Sequence, residues 1–292
     1  RSRPASFLAL ATLLVGCGGQ APPESSPVDV RDATVHVARH VGDDDLLTAG
    51  LGLAGLRQAA PPAPADPQAP TAVELRRRAI WANWRGIADL APGGGMDGDA
   101  RRFEAVPGSE HHAFLTLPGA RHPHRVMVQV PDAFDARARC LVVAASSGSR
   151  GIYGAISLAG GWGLPRGCAV AYTDKGAGTG WFDLASGRGA RLDGTPGVHG
   201  EGLDFDPGPA SGADRVAVKH FHSGDNPEAD WGRHVRQAAE FGLRILSEQR
   251  PDEAPFDFGN TRIIALGVSN GAAAVLRAAE LEGEWLDGAV AV

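Results

Sequence analysis

The chain has 292 residues, 43% of them hydrophobic, with 28 Lys and Arg against 34 Asp and Glu for a formal charge of −6. That length supports one large or two modest cores, and the acidic balance speaks against a binder of polyanions, which needs a basic surface to neutralise phosphates. Forty glycines and 21 prolines make up about a fifth of the chain, below the roughly 25–30% typical of disordered low-complexity segments.

In chain order, the first segment is basic at Arg1 and Arg3, nearly all apolar over residues 7–15, and small-residue-rich from Gly16 to Gly19. This is the pattern of a signal peptide over residues 1–16 and is too short to span a bilayer as a helix. The stretch Leu14-Val15-Gly16-Cys17 resembles the bacterial lipobox, so Cys17 is expected to become the lipidated first residue of an exported protein. Residues 17–42 are read as a flexible tether that begins with small residues and prolines. Cys140 and Cys168 each adjoin an apolar run and are read as buried free thiols.

Residues 43–120 are expected to form an N-terminal helical and irregular region. Within it a proline-rich linker, residues 61–70, leads into Thr71-Ala72-Val73-Glu74, a capping box. The helix it opens is predicted to run to about Leu90, with Leu75, Ala79, Ile80 and Trp84 on its apolar face. Residues 121–292 hold the apolar strand candidates 125–130, 140–145, 168–173 and 262–266. A Gly- and Asp-rich excursion fills about 175–226, and a helix with apolar residues at helical spacing follows over about 230–249. Short buried strands separated by helices predict an α/β fold with a mainly parallel sheet. The final residues, LDGAVAV, stop inside a strand-like run, so the chain is expected to be truncated at its C-terminus.

The strand candidate 262–266 runs directly into Gly267-Val268-Ser269-Asn270-Gly271 and then into a run of strong helix formers. Strand, G-x-S-x-G and helix in that order predict a nucleophile elbow, in which the serine stands on a sharp turn above the sheet. Ser269 is therefore predicted to have unusual backbone angles, with its hydroxyl facing a cleft. The helix N-terminus brings backbone N–H groups beside it, so the Asn270 amide is the expected first oxyanion donor. The second is expected from the loop after the strand 140–145, at Ser147 or Gly148.

Other features point to structure rather than chemistry. The run Gly176-Ala177-Gly178-Thr179-Gly180 lacks the helix that a dinucleotide-binding loop opens. The pairs His122/His124 and His220/His222 lack the carboxylate spacing of a metal site, and Asp204 and Asp206 suit a polar loop. Trp162, Trp181 and Trp231 read as wall or core residues. No metal or organic cofactor is called for.

Together these motifs resemble the D-(−)-3-hydroxybutyrate oligomer hydrolase family. The resemblance rests on SSGSRGIYGA (146–155), GWGLPRGCAVAYTDKGAGTG (161–180), VKHFHSGDNPEADWGR (218–233) and VSNGAAAVLRAAE (268–280), with DDDLLTAGLGLAGL (43–56) and ELRRRAIWANWRG (74–86) nearer the start. It implies an α/β-hydrolase-like serine esterase that cuts short 3-hydroxybutyrate oligomers to monomers in poly(3-hydroxybutyrate) degradation, with Ser269 as nucleophile. In such hydrolases a carboxylate and then a histidine follow the serine. No histidine follows Ser269 here, so both are expected beyond Val292, residues 121–292 are expected to be the N-terminal portion of the hydrolase domain, and the chain by itself is expected to be inactive. Two other readings fit the motifs less closely: another secreted serine hydrolase, tannase-like or a peptidase, and a non-catalytic lipid-anchored polymer-binding protein. A tannase-like enzyme usually carries a cysteine beside its nucleophile, whereas Val268 stands there.

Overall fold

The computed structural model describes residues 28–94, 103–210, 214–219 and 224–292. The expected signal peptide, Cys17, His220 and His222 lie outside these residues. Eleven strands occur among the described residues: β1 His36–His40, β2 Gly108–Leu115, β3 His124–Pro131, β4 Cys140–Ala145, β5 Ala169–Thr173, β6 Trp181–Asp183, β7 Arg188–Ala190, β8 Pro196–Val198, β9 Val216–Val218, β10 Arg262–Gly267 and β11 Gly288–Ala291. The helices are α1 Gly52–Leu56, α2 Ala72–Arg85, α3 Gly161–Gly163, α4 Trp231–Gln249 and α5 Asn270–Ala279. None of the helices among the described residues is long and apolar enough to cross a membrane.

Seven strands form the main sheet in the order β1-β2-β3-β5-β4-β10-β11. The half from β5 to β11 is parallel, as expected of short apolar strands joined by helices. The other half is antiparallel through β1, β2, β3 and β5. The fold is thus mixed α/β, and the mainly parallel expectation holds only around β4 and β10.

Side chains alternate strictly across this sheet. Leu141, Val143, Ala145, Ala169, Ala171, Ile263 and Ala265 pack with α4 and α5 on one face. Val142, Ala144, Val170 and Tyr172 pack with Ile80 and Trp84 of α2 on the other. Both faces are covered, which is why these strands are continuous apolar runs. The α2 helix starts at the expected cap: the Glu74 amide donates to Thr71 Oγ1 and the Thr71 amide to the Glu74 carboxylate, at 3.3 and 2.8 Å. It ends at Arg85, short of Leu90.

Three expectations require correction. The segment read as a tether over 17–42 is folded from Val28 on: Val28 bridges Thr116, and β1 pairs with β2. The boundary placed at residue 120 does not separate two bodies, because β2 lies within the sheet that β3 continues. Cys140 and Cys168 are a disulfide with a Cα–Cα distance of 4.7 Å. Cys140 opens β4 and Cys168 directly precedes β5, and the register Leu141↔Ala169 sets the two cysteines opposite one another. The apolar runs that suggested buried thiols are neighbouring strands, so burial itself brings the sulfurs together. The excursion after β5 carries a small antiparallel sheet, β8-β7-β6-β9, around Phe182, Leu203, Phe205 and Ala217.

Candidate active site

The site is built at the C-terminal ends of two adjacent parallel strands, β4 and β10, the usual place for ligands in an open α/β sheet. Beyond β10 the chain turns at Ser269 and enters α5 at Asn270. Ser269 has φ 57° and ψ −124°, a conformation that costs a non-glycine residue on the order of 1–3 kcal/mol. Serine at a helix N-cap normally bonds an amide of the first turn. Here the hydroxyl makes no such bond and the residue is exposed, which leaves Oγ free to face outward.

The two flanking glycines are required by packing. A Cβ on Gly267 would lie 2.1 Å from the Gly271 carbonyl oxygen, and one on Gly271 would lie 2.6 Å from that of Ala145. The turn is therefore closed on itself and pressed against the end of β4. Its far side is pinned by β11: the Ser269 amide donates to the Val292 carbonyl and the Val292 amide to that of Gly267, at 2.9 and 3.0 Å. In α5 the Gly271 amide donates to Val268 and that of Ala272 to Ser269.

The loop after β4 meets this turn, as expected. Gly148 has φ 52°, and a Cβ there would stand 3.8 Å from Asn270 Oδ1. The expected amide donors Ser147 and Gly148 both lie in this loop, and Gly148 is the one placed beside Asn270. The Ser146 amide is committed to the Thr173 carbonyl at 3.0 Å.

Lys175 is not singled out by the sequence, although it lies two residues beyond the apolar strand β5 in an Asp-Lys-Gly turn. Its Nζ donates to the Gly148 carbonyl at 2.8 Å, and its ammonium stands 4.6 Å from the centre of the Trp231 ring. The side chain is buried, with φ 51°. Burial pushes its pKa down to about 8 against the pull of Asp174 and Glu228. A buried cation thus fixes one face of the Gly148 peptide.

The remaining sequence candidates fall elsewhere. His124 is buried and bonded to Thr173 Oγ1 and Gln237 Oε1 at 2.9 and 2.7 Å, with His234 stacked on it at 4.3 Å. Burial drives the His124 pKa down to about 4 despite the nearby Asp174 carboxylate. His122 packs edge-on against Phe205. Asp204 lies 3.6 Å from the buried Lys219 ammonium, which also pairs with Asp174 at 3.1 Å. Asp206 accepts from His199 and the Gly200 amide at 2.7 and 2.9 Å. The run from Gly176 to Gly180 turns into strand β6, not into a helix. Trp162 packs on the α2 side of the sheet.

Ser269 does not line a cavity of about 730 Å³ that lies among the described residues. That space begins where the loop after β4 continues through Arg150, Gly151, Ile152 and Tyr153. Its floor is a buried ion network that the sequence did not reveal. Glu110 on β2 accepts from Arg76 at 2.9 Å, from Tyr153 and Gln129 at 2.8 Å, and pairs with His112 and His40 at 3.2 and 3.3 Å. Burial would raise the Glu110 pKa, but Arg76 and the two imidazoles hold it well below the usual carboxylate range. Burial likewise opposes charge on His40, yet its hydrogen bond to Asp44 and its ion pair with Glu110 raise its pKa to about 9.

The family model for 3HB-oligomer hydrolases matches residues 13–292. The chain belongs to that family. It is 42% identical to the D-(−)-3-hydroxybutyrate oligomer hydrolase of Burkholderia vietnamiensis, over 94% of this chain and 44% of that protein. The protein of the same name from Paracidovorax citrulli is 40% identical over all of this chain and 46% of its own length, and that of Polaromonas naphthalenivorans 42% identical over 98% and 45%. The chain thus spans under half the length of these relatives. Among solved structures, Candida antarctica lipase A in its closed state aligns with 62% of this chain and 37% of its own at a TM-score of 0.33 and 12% identity.

Proposed function

We propose that the protein is a serine esterase of the α/β-hydrolase type that hydrolyses 3-hydroxybutyrate oligomers to monomers through an acyl-enzyme on Ser269. The observation that carries this reading is the strained, uncapped Ser269 held at the strand-to-helix turn beside the Gly148 loop. A serine kept off its normal capping role at a conformational cost suits a nucleophile. The names of the relatives supply the substrate class.

In this reading Ser269 Oγ attacks the ester carbonyl carbon and its proton passes to a base. The alcohol end of the oligomer then leaves with a proton, and water hydrolyses the acyl-enzyme in the reverse sense. The base and the carboxylate that orients it are not assigned to any residue. The carbonyl oxygen takes up charge against the Asn270 amide and an amide of Ser147 or Gly148. Lys175 contributes by fixing the Gly148 peptide, so that the loop is set before charge develops.

The Cys140–Cys168 bridge fits an oxidising compartment, which supports export; the lipid anchor at Cys17 rests on the Leu14-Val15-Gly16-Cys17 pattern alone. Membrane fractionation in a bacterial host tests that part: wild type should sediment with membranes and Cys17→Ala should not. The catalytic reading is tested by labelling the protein, expressed from its natural start to its natural stop codon, with a fluorophosphonate and mapping the adduct. It should lie on Ser269, and a labelled protein with Ser269 unmodified would contradict the proposal.

A further inference from the structure

We infer that the 730 Å³ cavity between β1, β2, α2 and the segment 150–153 is a carboxylate-binding subsite that takes the free acid end of the oligomer through Arg125 and Arg150. This inference rests on the esterase reading for the identity of its ligand, but not for the existence of the site. The volume falls within the roughly 300–1,000 Å³ of small-molecule sites.

The charges around the cavity are unevenly compensated. Arg76 is paired with Glu110 and Asp44, and Arg191 with Glu201. Asp44 and Glu110 also hold the His40 imidazolium. Asp193 turns back to the amide and hydroxyl of Thr195. Arg125 and Arg150 differ from the other arginines of the wall. Arg125 donates to the Leu192 carbonyl and to His112 Nδ1, and its Nε is buried with no partner. Arg150 donates to the Gly86 carbonyl. Every acceptor in those bonds is neutral, so two arginines of the lining have no carboxylate partner, in a chain whose overall charge is negative.

A guanidinium offers planar, paired N–H donors matched to a carboxylate. The rest of the wall includes Val37, Phe114, Ile152 and Leu192, apolar groups suited to the methyl branches of a hydroxybutyrate chain. A linear oligomer has one free carboxylate and a succession of neutral esters, so a cationic cavity reached along the Ser146–Gly151 segment would anchor that end while an ester lies toward Ser269.

The test uses the protein expressed between its natural start and stop codons. Hydrolysis of the 3-hydroxybutyrate trimer is compared with that of its methyl ester, which lacks the charge. Wild type should favour the free acid in kcat/KM by about tenfold or more, the effect expected of a charge-assisted pair. Arg125→Gln and Arg150→Gln should each bring that ratio toward one, with Arg150→Lys retaining part of it. A wild type with no preference, or variants that keep the wild-type ratio, would overturn the inference.

Binding of 3-hydroxybutyrate and of its methyl ester to Ser269→Ala protein, followed by calorimetry, gives a readout independent of turnover. If neither trimer is hydrolysed but the acid binds more tightly and Arg125→Gln or Arg150→Gln removes the difference, the esterase reading fails while the carboxylate site stands. Equal binding of acid and ester would sink the site whatever the turnover shows. Arg150 lies in a partly exposed loop, so its variants report even if Arg125→Gln does not fold.

Discussion

Reducing the Cys140–Cys168 bridge should destabilise the protein by an amount fixed mainly by the chain it closes. The two cysteines are 28 residues apart, and a loop of that size removes ~3.6 kcal/mol of chain entropy from the unfolded state. The bridge joins β4 to β5 at the centre of the main sheet, so opening it leaves the native strand pairing intact and acts chiefly on the unfolded chain. For a domain of this size each kcal/mol corresponds to roughly 2–4 °C, which places the reduced protein about 7–14 °C lower in Tm. Comparing oxidised and reduced forms of the same chain avoids the cavities that cysteine substitutions would create. Thermal melts with and without reductant read the shift, and peptide mapping under non-reducing conditions should recover the linked pair. Identical melting of the two forms, or peptides with both thiols free before reduction, would refute the reasoning.

Two further predictions concern the elbow and the ion network. Gly267→Ala puts a Cβ 2.1 Å from the Gly271 carbonyl oxygen, so the turn must shift. A loss of about 100-fold or more in kcat is expected, together with destabilisation of ~3 kcal/mol at the upper end of overpacking costs; Gly288→Ala, which meets nothing within 4 Å, is the control, and wild-type kinetics in Gly267→Ala would contradict the packing argument. His40 has a folded pKa of about 9 against an ordinary value of 6.5, so its charge stabilises the fold fully below pH 6.5 and that contribution, ~3 kcal/mol, is lost as pH rises through 9. Lys175 titrates the other way: with a folded pKa of about 8, below that of the unfolded chain, it adds stability as pH rises from about 8 to 10.5. Urea midpoints of wild type and His40→Gln isolate the histidine, and their difference should shrink between pH 6 and pH 10; a constant difference would show that His40 is not charged in the fold.

The strand-to-helix turn at Ser269 was legible because strand, glycine pair and helix formers are contiguous in sequence, although β4 and Val292 also hold it. The α2 cap was legible for the same reason, since Thr71 and Glu74 lie in one turn. The central strands were readable because burial on both faces leaves nearly unbroken apolar runs. β2 was not, because Glu110, His111 and His112 break its pattern; Glu110 is buried through partners brought from Arg76, Gln129 and Tyr153, and His112 through Glu110 and Arg125. β1 was hidden in the same way, its buried His40 being held by Asp44 and Glu110. Lys175 and the disulfide depend on contacts between separate strands, and no local signal marks such pairings.

The central claim is that Ser269 is the nucleophile, and the most direct measurement is turnover of the linear 3-hydroxybutyrate dimer and trimer by purified wild type and Ser269→Ala, both expressed to the natural stop codon. Removal of the nucleophile leaves only oxyanion and binding contributions, so kcat should fall by about 10⁴–10⁶-fold. Ser269 is exposed and its hydroxyl caps nothing, so the melting temperature should stay close to that of wild type. Hydrolysis by Ser269→Ala within tenfold of the wild-type rate would contradict the account.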